Sequence, residues 1–147
     1  MSYVVRHYMT KHIATVDVSA SALESSRIMM ASGLAYVIAL EKTKPIGIVT
    51  HGDLVLKVMA SERNPSKVKV SEVMSSPLVT IGPDATVQEA VDIMAKRRIR
   101  RLPVIQDNIL EGVFTALNFV RHFNDYEDKV LKDIFRTVSL YPPGSDV

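Results

Sequence analysis

Gly47-Ile48-Val49-Thr50-His51-Gly52-Asp53 decides how the rest of the chain is read. A β-rich lead-in ends at a threonine, and a carboxylate follows three residues later, where the apolar pattern changes from strand to helix. Such a pair starts a helix. Thr50 caps a helix beginning near Gly52 and Asp53 lies in its first turn, so both side chains serve backbone N–H groups that have no partner inside the helix. A recurrence adds to that reading: Gly112-Val113-Phe114-Thr115-Ala116-Leu117-Asn118 stands 65 residues later, with Gly and Thr kept and Asp replaced by Asn.

Working outward from the two copies, residues 5 to 55 slide onto 70 to 120 without a gap. Val5/Val70, Met9/Met74, Thr15/Thr80, Ala20/Ala85, Glu24/Glu89, Ile28/Ile93, Met29/Met94, Gly47/Gly112, Thr50/Thr115 and Val55/Val120 are identical, 10 pairs in 51; ordinary composition gives roughly 3. Most other pairs exchange like for like, as in Val16/Ile81, Leu34/Ile99, Leu40/Ile105 and Ile48/Val113. The chain is a tandem duplication. The repeats run over 5–60 and 70–123, joined by a linker at 61–69 and followed by a segment at 124–147. The linker is polar and broken by Pro65, too short to let the copies drift apart, so they are expected to pack together.

Each copy has the same predicted layout. A short strand (Ile13 to Val16, Leu78 to Ile81) leads to a capping-box sequence (Ser21 to Glu24, Thr86 to Glu89) that opens a helix. Val87, Val91 and Met94, with Ala90 beside them, form the apolar stripe of that helix in the second copy; Leu23, Ser26, Met30, Ile28 and Met29 form a weaker one in the first. A hairpin follows, Ala35 to Leu40 with Ile46 to Val49, and Leu102 to Gln106 with Gly112 to Thr115. A second helix closes each copy, Asp53 to Ala60 and Asn118 to about Phe123. Beyond the repeat, Val130, Leu131, Ile134 and Phe135 have helical spacing, and Tyr141-Pro142-Pro143-Gly144 stops any helix.

Composition bounds the function classes. The 147 residues are 47% hydrophobic and 23% charged, a globular balance. The longest apolar runs, such as Leu34 to Leu40, are far shorter than a bilayer requires. With no basic segment leading into an apolar one at the N-terminus and no Cys, a cytoplasmic setting is expected. His7, His12, His51 and His122 lack metal-ligand spacing, so no metal site is expected. No Gly-rich phosphate loop, Ser/His/Asp order or paired catalytic carboxylates point to an enzyme. The seven Met read as core filler.

Three pieces, in order and in both copies, resemble the cystathionine-β-synthase (CBS) domain. They are Gly-x-x-Thr-x-x-Asp after a strand, a Met-Thr or Met-Ser near the start of each copy (Met9-Thr10, Met74-Ser75), and Ile99-Arg100-Arg101-Leu102-Pro103-Val104. The resemblance covers residues 5 to 123. It implies an α+β fold of tandem β-α-β-β-α repeats packed about a pseudo-twofold axis, a stand-alone module that commonly dimerises. It also implies a regulatory, non-catalytic function: binding AMP, ADP, ATP or S-adenosylmethionine in clefts between the repeats, with a regulated partner protein reading the result.

The residue chemistry agrees with that implication. A carboxylate such as Asp53 accepts two vicinal ribose hydroxyls as charge-assisted hydrogen bonds, and Thr50 with the N–H groups of its helix suits ribose or a phosphate oxygen. His51, inside the motif, is expected as a further ligand contact. Adenine needs an apolar slot with backbone donors and acceptors at its edge, expected from Leu78, Val79 and Thr80. Phosphate needs guanidinium, expected from Arg100 with Arg101 beside it, whereas Lys96, Arg97 and Arg98 read as a solvated helix end. In the family pattern the ribose carboxylate of one repeat shares a cleft with the basic residue of the other, which pairs Asp53 with Arg100. The opposite cleft, drawing on Thr15, Thr115 and Asn118, has Asn for the carboxylate and, at the offset, Ala35 for the guanidinium. It is expected to bind weakly.

Two other functions fit the sequence. The sequence pI near 8.9 and the run from Lys96 to Arg101 suit a nucleic-acid-binding protein, although that run lacks interleaved aromatics. A dimerisation scaffold with degenerate clefts is the other. A homodimer is expected through the second helices, where Leu54, Val55, Val58 and Met59, with Phe119, Val120 and Phe123, are more apolar than one sheet face covers.

Overall fold

The computed structural model describes residues 3–121, together with 133, 136 and 137. His122 and Phe123, and Val130, Leu131, Ile134 and Phe135 of the expected C-terminal helix, lie outside the described residues. The chain divides into two compact units whose borders are not those of the repeats. One holds Ile13–Val79; the other holds the described residues up to His12 together with those from Thr80.

The Ile13–Val79 unit contains β1 (Thr15–Asp17), α1 (Ala22–Ser32), β2 (Tyr36–Glu41), β3 (Lys44–Thr50), α2 (His51–Leu54) and α3 (Val70–Val73), with α2 running on into a wider π-type turn over Val55–Met59. β1 pairs parallel with β2, and β2 pairs antiparallel with β3. The turn between β2 and β3 is made by Lys42 and Thr43, both at positive φ, the conformation that suits a two-residue hairpin to the twist of its strands. α1 begins at Ser21, whose hydroxyl accepts the Glu24 N–H, and ends at Gly33 in the left-handed region. Of the expected capping box, the Ser21 half forms.

The other unit contains a 3-10 turn (Val5–His7), α4 (Val87–Arg97), β4 (Leu102–Gln106), β5 (Ile109–Phe114) and α5 (Ala116–Val120). Here Thr86 and Glu89 complete the box, and Asp107 and Asn108 make the hairpin turn at positive φ. The duplication extends to irregularities. The register shift between Ala39 and Leu40 in the first hairpin recurs between Val104 and Ile105 in the second, 65 residues on.

Three sequence expectations are corrected. The strand predicted over Leu78 to Ile81 reduces to a single parallel bridge, Ile81 to Val104. In the first copy the Ile38 and Val18 N–H groups donate across the equivalent pairing; in the second these positions are Pro103 and Pro83, which have no N–H. The inward stripe of α1 is Ala22, Ser25 and Met29, matched by Val87, Ala90 and Met94 in α4, while Met30 is 80% and Val91 38% exposed. A helical stripe has neighbours on both flanks, and in each helix the flank with the next large side chain turns outward. Of the apolar residues expected on the outer face of the second helix, Val58 is buried in its own unit's core with Val16, Val37, Val49, Val70 and Val73.

What divides the units differently from the repeats is a pair of straps. Residues 3 to 10 lie along the second repeat: Val5 N–H donates to Ala85, Arg6 N–H to Pro83, Val87 N–H to Tyr3, and Thr10 exchanges both bonds with Val113. Residues 69 to 75 do the same on the first repeat. Val70 N–H donates to Ala20, Ser71 N–H to Val18, and Ser75 exchanges both bonds with Ile48. Val5, Val70 and Val73 are fully buried, each contributing roughly 1.5–3 kcal/mol relative to exposure. Each strap therefore opens one repeat in sequence and completes the other in space.

Candidate functional site

The straps explain the glycine of the opening motif. A Cβ on Gly47 would lie 2.7 Å from Met74 Sδ and 3.0 Å from the Ser75 carbonyl; on Gly112 it would lie 2.6 Å from the Thr10 carbonyl and 2.9 Å from Met9 Sδ. The Met-Thr and Met-Ser pairs singled out in the sequence thus sit beneath the motif glycine of the other repeat. Close approach of the strap disfavours a side chain there.

Three residues beyond that glycine, Thr50 caps α2. Its N–H donates to Asp53 Oδ2 at 2.9 Å and its hydroxyl to the same oxygen at 3.2 Å, while its Oγ1 accepts the Asp53 N–H at 3.3 Å. Lys57, one turn on, places Nζ 3.0 Å from Asp53 Oδ1 and donates to the Val73 carbonyl at 2.9 Å. The Asp53 side chain is 13% exposed against 45% for Lys57. A carboxylate has about four lone-pair sites, and three of those on Asp53 are occupied. Its capping role is therefore present in full, and a single acceptor direction stays open on Oδ1. His51 is exposed and donates its backbone N–H to the Ala35 carbonyl.

The second copy of the motif is the same box with an amide in place of the carboxylate. Thr115 N–H donates to Asn118 Oδ1 at 3.0 Å and its hydroxyl at 2.6 Å, and Thr115 Oγ1 accepts the Asn118 N–H at 3.1 Å. Both residues are buried, at 2% and 5% exposure. Thr115 also lines a recess of about 360 Å³ together with Arg100, Ile99, Val91, Met94 and Leu117. Val91, turned away from the core, faces this recess, a role its place in the predicted stripe did not suggest. The sequence signal for it was Arg100, which follows Ile99 between α4 and β4 in a run that also holds Arg98 and Arg101.

Other predicted site residues distribute as follows. Leu78 and Val79 are half-buried at the end of the first unit, and Thr80 is exposed at the start of the second. Thr15 lines a separate recess of about 470 Å³ with Asp17, Ser19, Glu24 and Thr43. There the Asp17 carboxyl is held below the usual range by the Ser19 hydroxyl and then its N–H. Arg101 is half-buried, whereas Lys96, Arg97 and Arg98 are exposed at the end of α4, Arg98 closing it in the left-handed region. Asp53 and Arg100 belong to different units.

The family model of the CBS domain matches residues 5–60 and 70–125. An uncharacterized protein of Methanopyrus kandleri is 38% identical over 113 residues, 76% of this chain and 58% of that protein, so this chain spans little more than half of that relative. The CBS domain-containing protein YhcV of Bacillus subtilis is 32% identical over 109 residues, 74% of this chain and 77% of that protein. Among solved structures, a hexameric CBS-CP12 protein from bloom-forming cyanobacteria aligns with a TM-score of 0.76 and 30% identity over 88% of this chain and 77% of that one.

Proposed function

The chain belongs to the CBS-domain family, with two copies in tandem, and from that premise we propose that this regulatory module binds an adenosine-containing ligand and passes its occupancy to a partner protein. The observation that carries the reading is the recess at Arg100. At about 360 Å³ it falls in the range of small-molecule sites, and its lining is apolar apart from few polar groups. An apolar wall suits the faces of a purine, and a lone guanidinium beside it suits a phosphate. Asp53, with one acceptor direction open, is the ribose candidate. AMP, ADP, ATP and S-adenosylmethionine share the adenosine.

The test is titration calorimetry with AMP and ATP. One tight site per chain is expected, weakened at least tenfold, about 1.4 kcal/mol, by Arg100→Ala and by Asp53→Asn. The second substitution is chosen because Thr115 and Asn118 show that an amide sustains the same cap, so it removes charge without removing the box. Asn118→Ala should lower the melting temperature and leave affinity unchanged. Two equal sites, or a tight site indifferent to Arg100 and Asp53, would overturn the reading.

A further inference from the structure

We propose that Lys57 is a latch on the Asp53 carboxylate, displaced when a vicinal diol binds. The inference rests on the reading of Asp53 as the ribose acceptor. Asp53 Oδ2 is saturated by the Thr50 N–H and hydroxyl, and Oδ1 already accepts Lys57 Nζ at 3.0 Å. Two hydroxyls bound through charge-assisted hydrogen bonds need two acceptor directions, and one is open. The Thr50 bonds belong to the helix cap, which the second repeat retains with an amide. Lys57 is the exchangeable partner, being 45% exposed on a flexible four-carbon stem.

Displacing Lys57 reaches beyond the site. The same ammonium donates to the Val73 carbonyl at 2.9 Å, at the last residue of α3 and directly before Met74 and Ser75. Those two residues press on Gly47 and pair with Ile48. Lys57 therefore ties the Asp53 carboxylate to the strap that leads into the second repeat. A ligand that takes Oδ1 releases one tether of that strap, coupling occupancy to the segment that opens the second repeat.

The test compares wild type with Lys57→Met, which keeps the aliphatic stem and removes the ammonium. Adenosine, which has no phosphate for Lys57 to contact, and AMP serve as probes in calorimetry, and amide hydrogen exchange follows residues 70–75. Lys57→Met should bind adenosine at least threefold tighter and exchange faster over 70–75 without ligand, and adenosine should speed exchange there in wild type. Weaker or equal binding of adenosine by the variant, or exchange over 70–75 unmoved by adenosine in wild type, overturns the latch while leaving the nucleotide reading intact. Failure of both proteins to bind either probe overturns the nucleotide reading, and the latch with it.

Discussion

At the scale of single residues, Gly47 and Gly112 hold the same place in the two copies but tolerate a side chain differently. At Gly112 the nearest atom to a new Cβ is the Thr10 carbonyl oxygen at 2.6 Å, a backbone atom paired with Val113. At Gly47 it is Met74 Sδ at 2.7 Å, part of a flexible side chain, with the Ser75 carbonyl at 3.0 Å. Methionine moves at little cost, whereas a strap carbonyl moves only by breaking its ladder. Gly112→Ala should therefore destabilise by about 2–3 kcal/mol and Gly47→Ala by about 1 kcal/mol, measured as urea midpoints of the two variants. Equal midpoints would show that the straps yield alike.

At the scale of elements, each compact unit is a repeat together with the strap that opens the other repeat. A fragment of residues 13–79 keeps the contacts of α3 and the residues leading into it: Val70 and Val73 in the core, Ala22 N–H on the Val68 carbonyl, and Arg63 to Glu72 at 2.6 Å. A fragment of residues 5–60, cut at the repeat borders, loses all of them and strands its own Val5 segment without the second repeat. The 13–79 fragment is expected to melt cooperatively by circular dichroism, and the 5–60 fragment to show no transition. A cooperative 5–60 fragment would show that the straps are dispensable. Small domains depend on each buried side chain because so little surface is removed from water.

At the scale of the molecule, Val55, Leu56 and Met59 remain 49%, 69% and 74% exposed, an apolar face on the turn that follows α2. Val58 points inward and Phe119 stacks edge-on with Tyr3 and Tyr8, so the face offered to a second copy is narrower than the full helix pattern. A homodimer through it is the expected assembly. Leu56→Asp with Met59→Asp should convert dimer to monomer in sedimentation at micromolar concentration, because burying an unpaired carboxylate costs more than the contact supplies. A wild-type monomer would remove the proposal. Among the described residues no helix is long and apolar enough to cross a membrane.

The sequence by itself determined the duplication, displayed by an ungapped offset of 65 residues, and the hairpins and helix starts, because each of these is written in residues close to one another along the chain. It also held, unread, the reason β1 has no full counterpart: Pro83 and Pro103 delete the donors. Tertiary structure alone decided which flank of α1 and α4 is buried, which repeat each Met-bearing strap completes, and that Lys57 joins Asp53 to Val73. Those depend on partners far away in the chain. A side chain's spacing states which neighbours it has along its own helix or strand, whereas burial and hydrogen bonding across the fold are set by whatever segment arrives to cover it.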